Sequence, residues 1–170
     1  LGDLAQLDEP AFTLRTSGLD MAELLNDVAM RFASRASAHG VALEAEEPDG
    51  PVVAVVDNEL LERALANLVD NALKFCPAGG RITLTARADA GKVCLTVRDT
   101  GPGIALAAQP HLFDRFYQAR ASTAPATGEG GKGLGLAIVK RIAELHAGTV
   151  DVTSAPGRGT QVWIRLPRAV

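Results

Sequence analysis

Cysteine is scarce in this chain: Cys76 and Cys94 are the only two in 170 residues. They stand alone, without the close spacing of a metal site or the density of a disulfide scaffold. Both are expected to be reduced, buried and inert. An excess of one charge is also missing. Seventeen Lys and Arg face twenty Asp and Glu, for a net charge of -3. That excludes a global basic field and, with it, nucleic acid as an expected partner. No apolar run approaches the roughly 20 residues needed to cross a bilayer, no secretory leader opens the chain, and no internal repeat occurs. Histidine is limited to His39 beside Gly40, His111 after Pro110, and His146 in a final helical turn, where positive charge is mildly favoured. All three read as structural or surface residues.

What is present is ordinary for a globular chain: 47% hydrophobic and 22% charged residues, enough for one domain with a sizeable core. Leu1, Leu4 and Leu7 recur every three residues and stop at Asp8-Glu9-Pro10. Residues 1–9 thus read as the tail of a helix whose body lies upstream, and residues 10–170 as the domain proper. A short edge strand is expected at 12–15. Asp20 and Glu23 have capping-box spacing before a helix whose stripe is Met21, Leu24, Leu25, Val28 and Phe32, with Gly40 as its stop. Strands are expected at 41–45 and 52–56. Asp57 or Asn58 caps a second long helix that Pro77 terminates. A hairpin follows, 81–87 and 92–98, then an irregular stretch, a helix over 134–147, and a closing hairpin, 149–154 and 160–166. Strands and helices do not alternate strictly. A mixed sheet with helices on one face fits better than a doubly wound parallel one.

Three segments carry chemistry. In Gly130-Gly131-Lys132-Gly133-Leu134-Gly135-Leu136, four glycines in six positions run into a helical pattern. Glycine lets a ligand approach the main chain, and a helix start presents free N–H groups and positive dipole, a setting for phosphate. The spacing is not that of a dinucleotide-binding fingerprint, and Lys132 precedes Gly133 where a P-loop needs Ser or Thr. In the second long helix, Asn67, Asn71 and Lys74 fall on one narrow arc beside the stripe of Leu61, Leu65, Leu68 and Ala72. A solvated face would explain a polar arc, yet asparagine is a poor helix former. The neutral oxygen of Asn71 suits Mg²⁺ held jointly with phosphates, and Lys74 adds a charge for them. In Asp99-Thr100-Gly101-Pro102-Gly103-Ile104, a plain surface turn is one reading. In the other, the Asp99 carboxylate accepts from an exocyclic amino group such as adenine has.

The order of these segments, with Phe113-Asp114-Arg115-Phe116-Tyr117 between the second and third, resembles the catalytic ATP-binding domain of bacterial sensor histidine kinases. The resemblance covers residues 20–167. Residues 67–75 match the family's asparagine box, 99–104 its first glycine box, 113–117 its phenylalanine box and 131–136 its last glycine box. It implies the Bergerat fold, an α/β two-layer sandwich of a mixed sheet and three helices, with an ATP lid over 118–132. It implies Asn71 as Mg²⁺ ligand, Asn67 supporting the phosphate end, Lys74 on phosphate, Phe75 beside adenine and Asp99 reading adenine. Gly101, Gly103, Ile104 and Tyr117 would shape the base site, and Gly131, Gly133, Leu134, Gly135 and Leu136 the phosphate site. Lys132 stands where Thr or Ser is common, and Gln118 where many members carry Arg; Arg115 or Arg120 would then supply that contact.

Relatives of the same fold that hydrolyse ATP carry a glutamate one turn before the Mg²⁺ asparagine. Here that position is Asn67, and an amide cannot take a proton from water. Transfer to an external histidine is favoured, on an upstream dimerisation domain of this chain's own protein, with a response regulator downstream. The isolated domain is expected to be a monomer, and the full-length protein a homodimer anchored in the bacterial inner membrane with this domain in the cytoplasm. A regulatory nucleotide-binding module without kinase activity, and an anti-sigma-type serine kinase, are the alternatives.

Overall fold

The computed structural model describes residues 3–9, 12–103 and 135–167. Near the start of the chain lies a short helix, α1 (Asp3–Leu7), whose Leu7 is only 1% exposed and joins the main core. The strand expected at 12–15 lies further on, as β1 (Ser17–Asp20). The reason is where the backbone groups go: the Arg15 N–H donates to the Asp57 carboxylate at 3.0 Å, not to a neighbouring strand.

Helix α2 (Met21–Ala38) begins at Asp20, whose carboxylate accepts from the Ala22 N–H at 2.8 Å. The bond reaches the second residue of the helix, so the reciprocal box with Glu23 does not form. Gly40 follows the helix at φ +70°, the left-handed value a helix stop of this kind needs. Then come β2 (Ala42–Ala45), β3 (Val53–Val56), α3 (Asn58–Phe75), β4 (Arg81–Asp89), β5 (Lys92–Asp99), α4 (Gly135–Leu145), β6 (Thr149–Ser154) and β7 (Thr160–Pro167).

Five strands form one sheet in the order β2-β4-β5-β7-β6, while β1 and β3 pair separately and antiparallel. The large sheet is mixed: β2 and β4 run parallel and the other neighbours antiparallel. Its register lines up Leu84, Val97 and Val162 in one row and Ala86, Leu95 and Ile164 in the next. All six are buried, and with α2, α3 and α4 they form one core. Alternate positions such as Arg87, Arg98 and Arg165 fall on the opposite face, as the two-residue strand period requires. The expected two-layer sandwich with three long helices is thus observed.

One expectation needs correction. Cys76 is buried, but Cys94 sits half-buried on the open face, within 3.9 Å of Thr96 Oγ1. His146 is structural, as expected: it is buried and ties α4 to the start of α3. Its Nε2 accepts the Asp57 N–H at 3.0 Å while Nδ1 faces the Ile142 carbonyl at 2.8 Å. An acceptor at Nε2 and a donor at Nδ1 define the neutral Nδ1–H tautomer. His39 lies exposed at the C-cap of α2, and His111 lies outside the described residues.

Candidate functional site

Helix α3 is held at its start and left open at its end. Asp57 caps it, accepting the Leu60 N–H at 3.2 Å. Leu61, Leu65, Leu68, Ala72 and Leu73 bury one face. The arc carrying Asn67, Asn71 and Lys74 flanks that face and is half-buried. Among the described residues neither Asn67 nor Asn71 has a hydrogen-bond partner for its amide. An amide has two donors and an acceptor, so this arc presents unused polar capacity. Lys74 Nζ lies 3.4 Å from Asp70 Oδ2, and Asp70 Oδ1 lies 2.6 Å from Arg35 Nη2 on α2.

The helix ends at Phe75. Cys76 leaves helical geometry at ψ 122°, and Pro77 cannot continue the ladder. Phe75 stays 43% exposed, a large ring at the rim of the arc. Beside it lies the turn that follows β5. Gly101 sits between the Asp99 carboxylate and the Phe75 carbonyl: a Cβ there would lie 2.9 Å from Asp99 Oδ1 and 3.4 Å from the Phe75 oxygen. The Gly101 N–H donates to Asp99 Oδ1 at 2.8 Å. Burial raises the Asp99 carboxyl above its ordinary value of 3.8, and the N–H groups of Gly101 and Thr160 offset part of that rise.

The closing hairpin fixes this turn from the far side. Gly103 (φ +79°) and Gly159 (φ +80°) both adopt left-handed backbone, and a Cβ on either would collide with a carbonyl, that of Ala155 or of Asp99. The Gly157 N–H also donates to the Pro102 carbonyl at 2.6 Å. Thr100 Oγ1 accepts the Arg81 N–H at 2.9 Å, tying the turn to the start of β4.

Helix α4 packs against α3. Its final turn is tied to the start of α3 through His146 and Asp57, so the two run antiparallel. Its first residue, Gly135, therefore lies toward the end of α3 that carries the asparagines. The N–H groups of that first turn have no partner inside the helix, and Leu136 behind them is partly buried against the core.

The structure therefore brings Asn67, Asn71, Lys74, Phe75, Asp99, Gly101 and Gly103 into one region, with Gly135 and Leu136 at its border. Ile104, Tyr117, Gly131, Gly133 and Leu134 lie outside the described residues, as do Arg115, Gln118, Arg120, Lys132 and the expected lid over 118–132. Sequence reasoning missed Asp70 and Arg35 beside Lys74, and Gly159 and Thr160 behind Asp99. The four-residue spacing of Asp70 and Lys74 was a usable signal. Nothing local marked the other three.

Residues 56–170 match the family model of histidine kinase-, DNA gyrase B- and HSP90-like ATPases. The sensor protein DivL of Caulobacter vibrioides is 40% identical over 97% of this chain, and the sensor protein kinase PmrB of Pseudomonas aeruginosa 37% over 97%. The chain spans 20% of the first and 34% of the second. Among solved structures, full-length ShkA in complex with AMPPNP superimposes with a TM-score of 0.84 at 34% identity, over 98% of this chain and 34% of that one. The mycobacterial sensor histidine kinase MprB gives 0.77 at 32%, over 89% of this chain and 98% of that one. The chain belongs to the histidine kinase-, DNA gyrase B- and HSP90-like ATPase family, as a domain of the sensor histidine kinase type.

Proposed function

We propose that this chain binds ATP with Mg²⁺ and presents the γ-phosphate to a histidine on a separate dimerisation domain of its own protein. One observation carries the reading: two half-buried amides without partners among the described residues, and a lysine on α3, converge with a partly buried carboxylate across the Gly101–Phe75 contact. The Asp99 carboxylate, held by two N–H groups, accepts from the adenine amino group. Gly101 leaves room for a flat ring, and Phe75 lies where the ring would rest. Asn71, with Asn67 one turn before it, has a free oxygen that fits a hard cation shared with phosphate. Lys74 and the first turn of α4 draw the phosphates along the helix arc. Bound Mg²⁺ would neutralise phosphate charge, which is most of what this transfer requires of a protein.

No general base faces this region from Asn67, so the domain positions ATP without activating water. The acceptor is an outside histidine. His146 is fully hydrogen-bonded and buried, and His39 caps a helix at the surface. The name PmrB carries, sensor protein kinase, supports a two-component setting with a response regulator downstream. So does membership of a family that includes histidine kinases. No helix among the described residues is long and apolar enough to cross a membrane. We place this domain in the cytoplasm, in a homodimeric protein anchored in the bacterial inner membrane.

The test is to mix the chain with γ-labelled ATP, Mg²⁺ and the upstream helical hairpin of its protein. Acid-labile label on a hairpin histidine is the expected result. The chain alone should remain monomeric, take no label and release little phosphate. Stable label on His39, His111 or His146, or phosphate release that an Asn67 variant abolishes, would overturn the reading.

A further inference from the structure

Lys74 does not stand free. It shares Asp70 with Arg35, and the two contacts differ: 2.6 Å from Arg35 Nη2 and 3.4 Å from Lys74 Nζ. The better hydrogen bond goes to arginine. Arg35 is itself held, with its guanidinium 5.7 Å from the centre of the buried Phe32 ring. A second arginine, Arg31, lies 5.6 Å from the same ring and is paired with Glu62 at 3.5 Å, so it does not compete for Asp70. The carboxylate is therefore pinned toward α2, while the lysine sits on its looser side at the end of a flexible four-carbon stem. Asp70 immediately precedes Asn71 and lies one turn before Lys74, so it borders the site without sharing the arc of the asparagines.

We propose that Asp70 is a positioning residue that parks Lys74 beside the phosphate region until nucleotide binds, and that Arg35 weakens this hold so that Lys74 can transfer to the nucleotide. The inference rests on the reading of Lys74 as a phosphate contact. Asp70 and the phosphates compete for one ammonium group. Asp70 sets the cost of freeing it, and Arg35 lowers that cost by occupying the opposing oxygen. Side-chain exposures of 28% for Lys74, 34% for Asp70 and 40% for Arg35 place the triad in partial solvent. Its effects should therefore have the size of a partly exposed ion pair, about two- to fivefold in affinity.

The signs are opposite for neighbouring residues. Asp70→Asn should tighten ATP and ADP about two- to fivefold, and Arg35→Gln should weaken both by a similar factor. Adenosine, which has no phosphate, should bind all variants alike. A mere change in long-range field gives the same signs but adds independently. Parking requires coupling: Arg35→Gln should have no further effect once Asp70 is Asn, and Asp70→Asn no effect once Lys74 is Met.

Calorimetric titration of this chain and its single and double variants with ATP, ADP and adenosine, at one salt concentration, decides it. Thermal melts check that each variant folds, and Asp70→Ser stands in should the asparagine variant fail. Additive effects in either double variant, or tighter adenosine binding in Asp70→Asn, would overturn the proposal while leaving Lys74 as a phosphate contact. Unchanged ATP affinity in Lys74→Met would overturn that underlying reading instead.

Discussion

At the start of α3, Asp57 uses both carboxylate oxygens, one on the Arg15 N–H and one on the Leu60 N–H, and gives its own N–H to His146. At the end of the same helix, Asn67 and Asn71 keep their amides unpartnered among the described residues, Lys74 holds a carboxylate loosely, and Phe75 faces solvent. The apolar stripe between them is continuous. The two ends differ in what their polar groups are left to do. Where every donor and acceptor is used internally, a residue stabilises the fold. Where half-buried polar groups are left over at the surface, they stay open to solvent and can exchange water for a ligand.

Asn71→Ala tests this contrast hardest. If Asn71 holds Mg²⁺ as proposed, its loss costs several kcal/mol of transition-state stabilisation, and phosphoryl transfer to the upstream hairpin should fall by about 10²-fold or more. Stability should hold or rise slightly, because alanine is the better helix former and no internal hydrogen bond is lost. Labelling rates and melting curves on one protein sample would check both. A folded variant with native transfer rates would remove Asn71 from the site.

The opposite pattern is expected at the closed end. His146→Ala leaves the Asp57 N–H buried without an acceptor, which costs about 1–3 kcal/mol. Denaturant melts should show that loss, and ADP affinity should be unchanged. His146→Gln restores an acceptor and should recover part of it. A His146→Ala variant as stable as the native chain would show that the helix start tolerates unused polar groups after all.

Much of the open end was legible because its signals are local. Asn67, Asn71 and Lys74 lie within three turns of one helix, where a fixed 100° step decides the face. The turn at Asp99 announces itself through Gly101, Pro102 and Gly103. The closed end was not legible, since its partners are distant in sequence: Arg15 with Asp57, and Asp57 with His146 across 89 residues. The same holds for Arg35 with Asp70, and for Gly159 against the Asp99 carbonyl. The strand expected at 12–15 failed for this reason too. Its pairing is decided by β3, which offers its ladder to Ser17–Asp20, and those four residues show little apolar alternation of their own.

The finest test uses Asp99, a partly buried carboxylate of the open end that is hydrogen-bonded inside the fold. Burial raises its carboxyl above 3.8, and the N–H groups of Gly101 and Thr160 only partly counter this. Ionised, under the proposed function, it accepts from the adenine amino group; protonated, it is a weaker acceptor and can turn its O–H toward that group. Adenosine affinity should therefore be full at neutral pH. It should fall as pH drops through the raised Asp99 value, earlier than an ordinary carboxylate would allow. A hydrogen bond to a charged group is worth about 1.5 kcal/mol at the low end, so the fall should approach roughly tenfold. Adenosine is the right probe because it carries no phosphate to titrate. Asp99→Asn should bind weakly at every pH and show no such step, so a fall shared by both proteins belongs to the ligand. If native adenosine affinity stays level until pH drops below 3.8, the Asp99 carboxylate is not the group that holds the base.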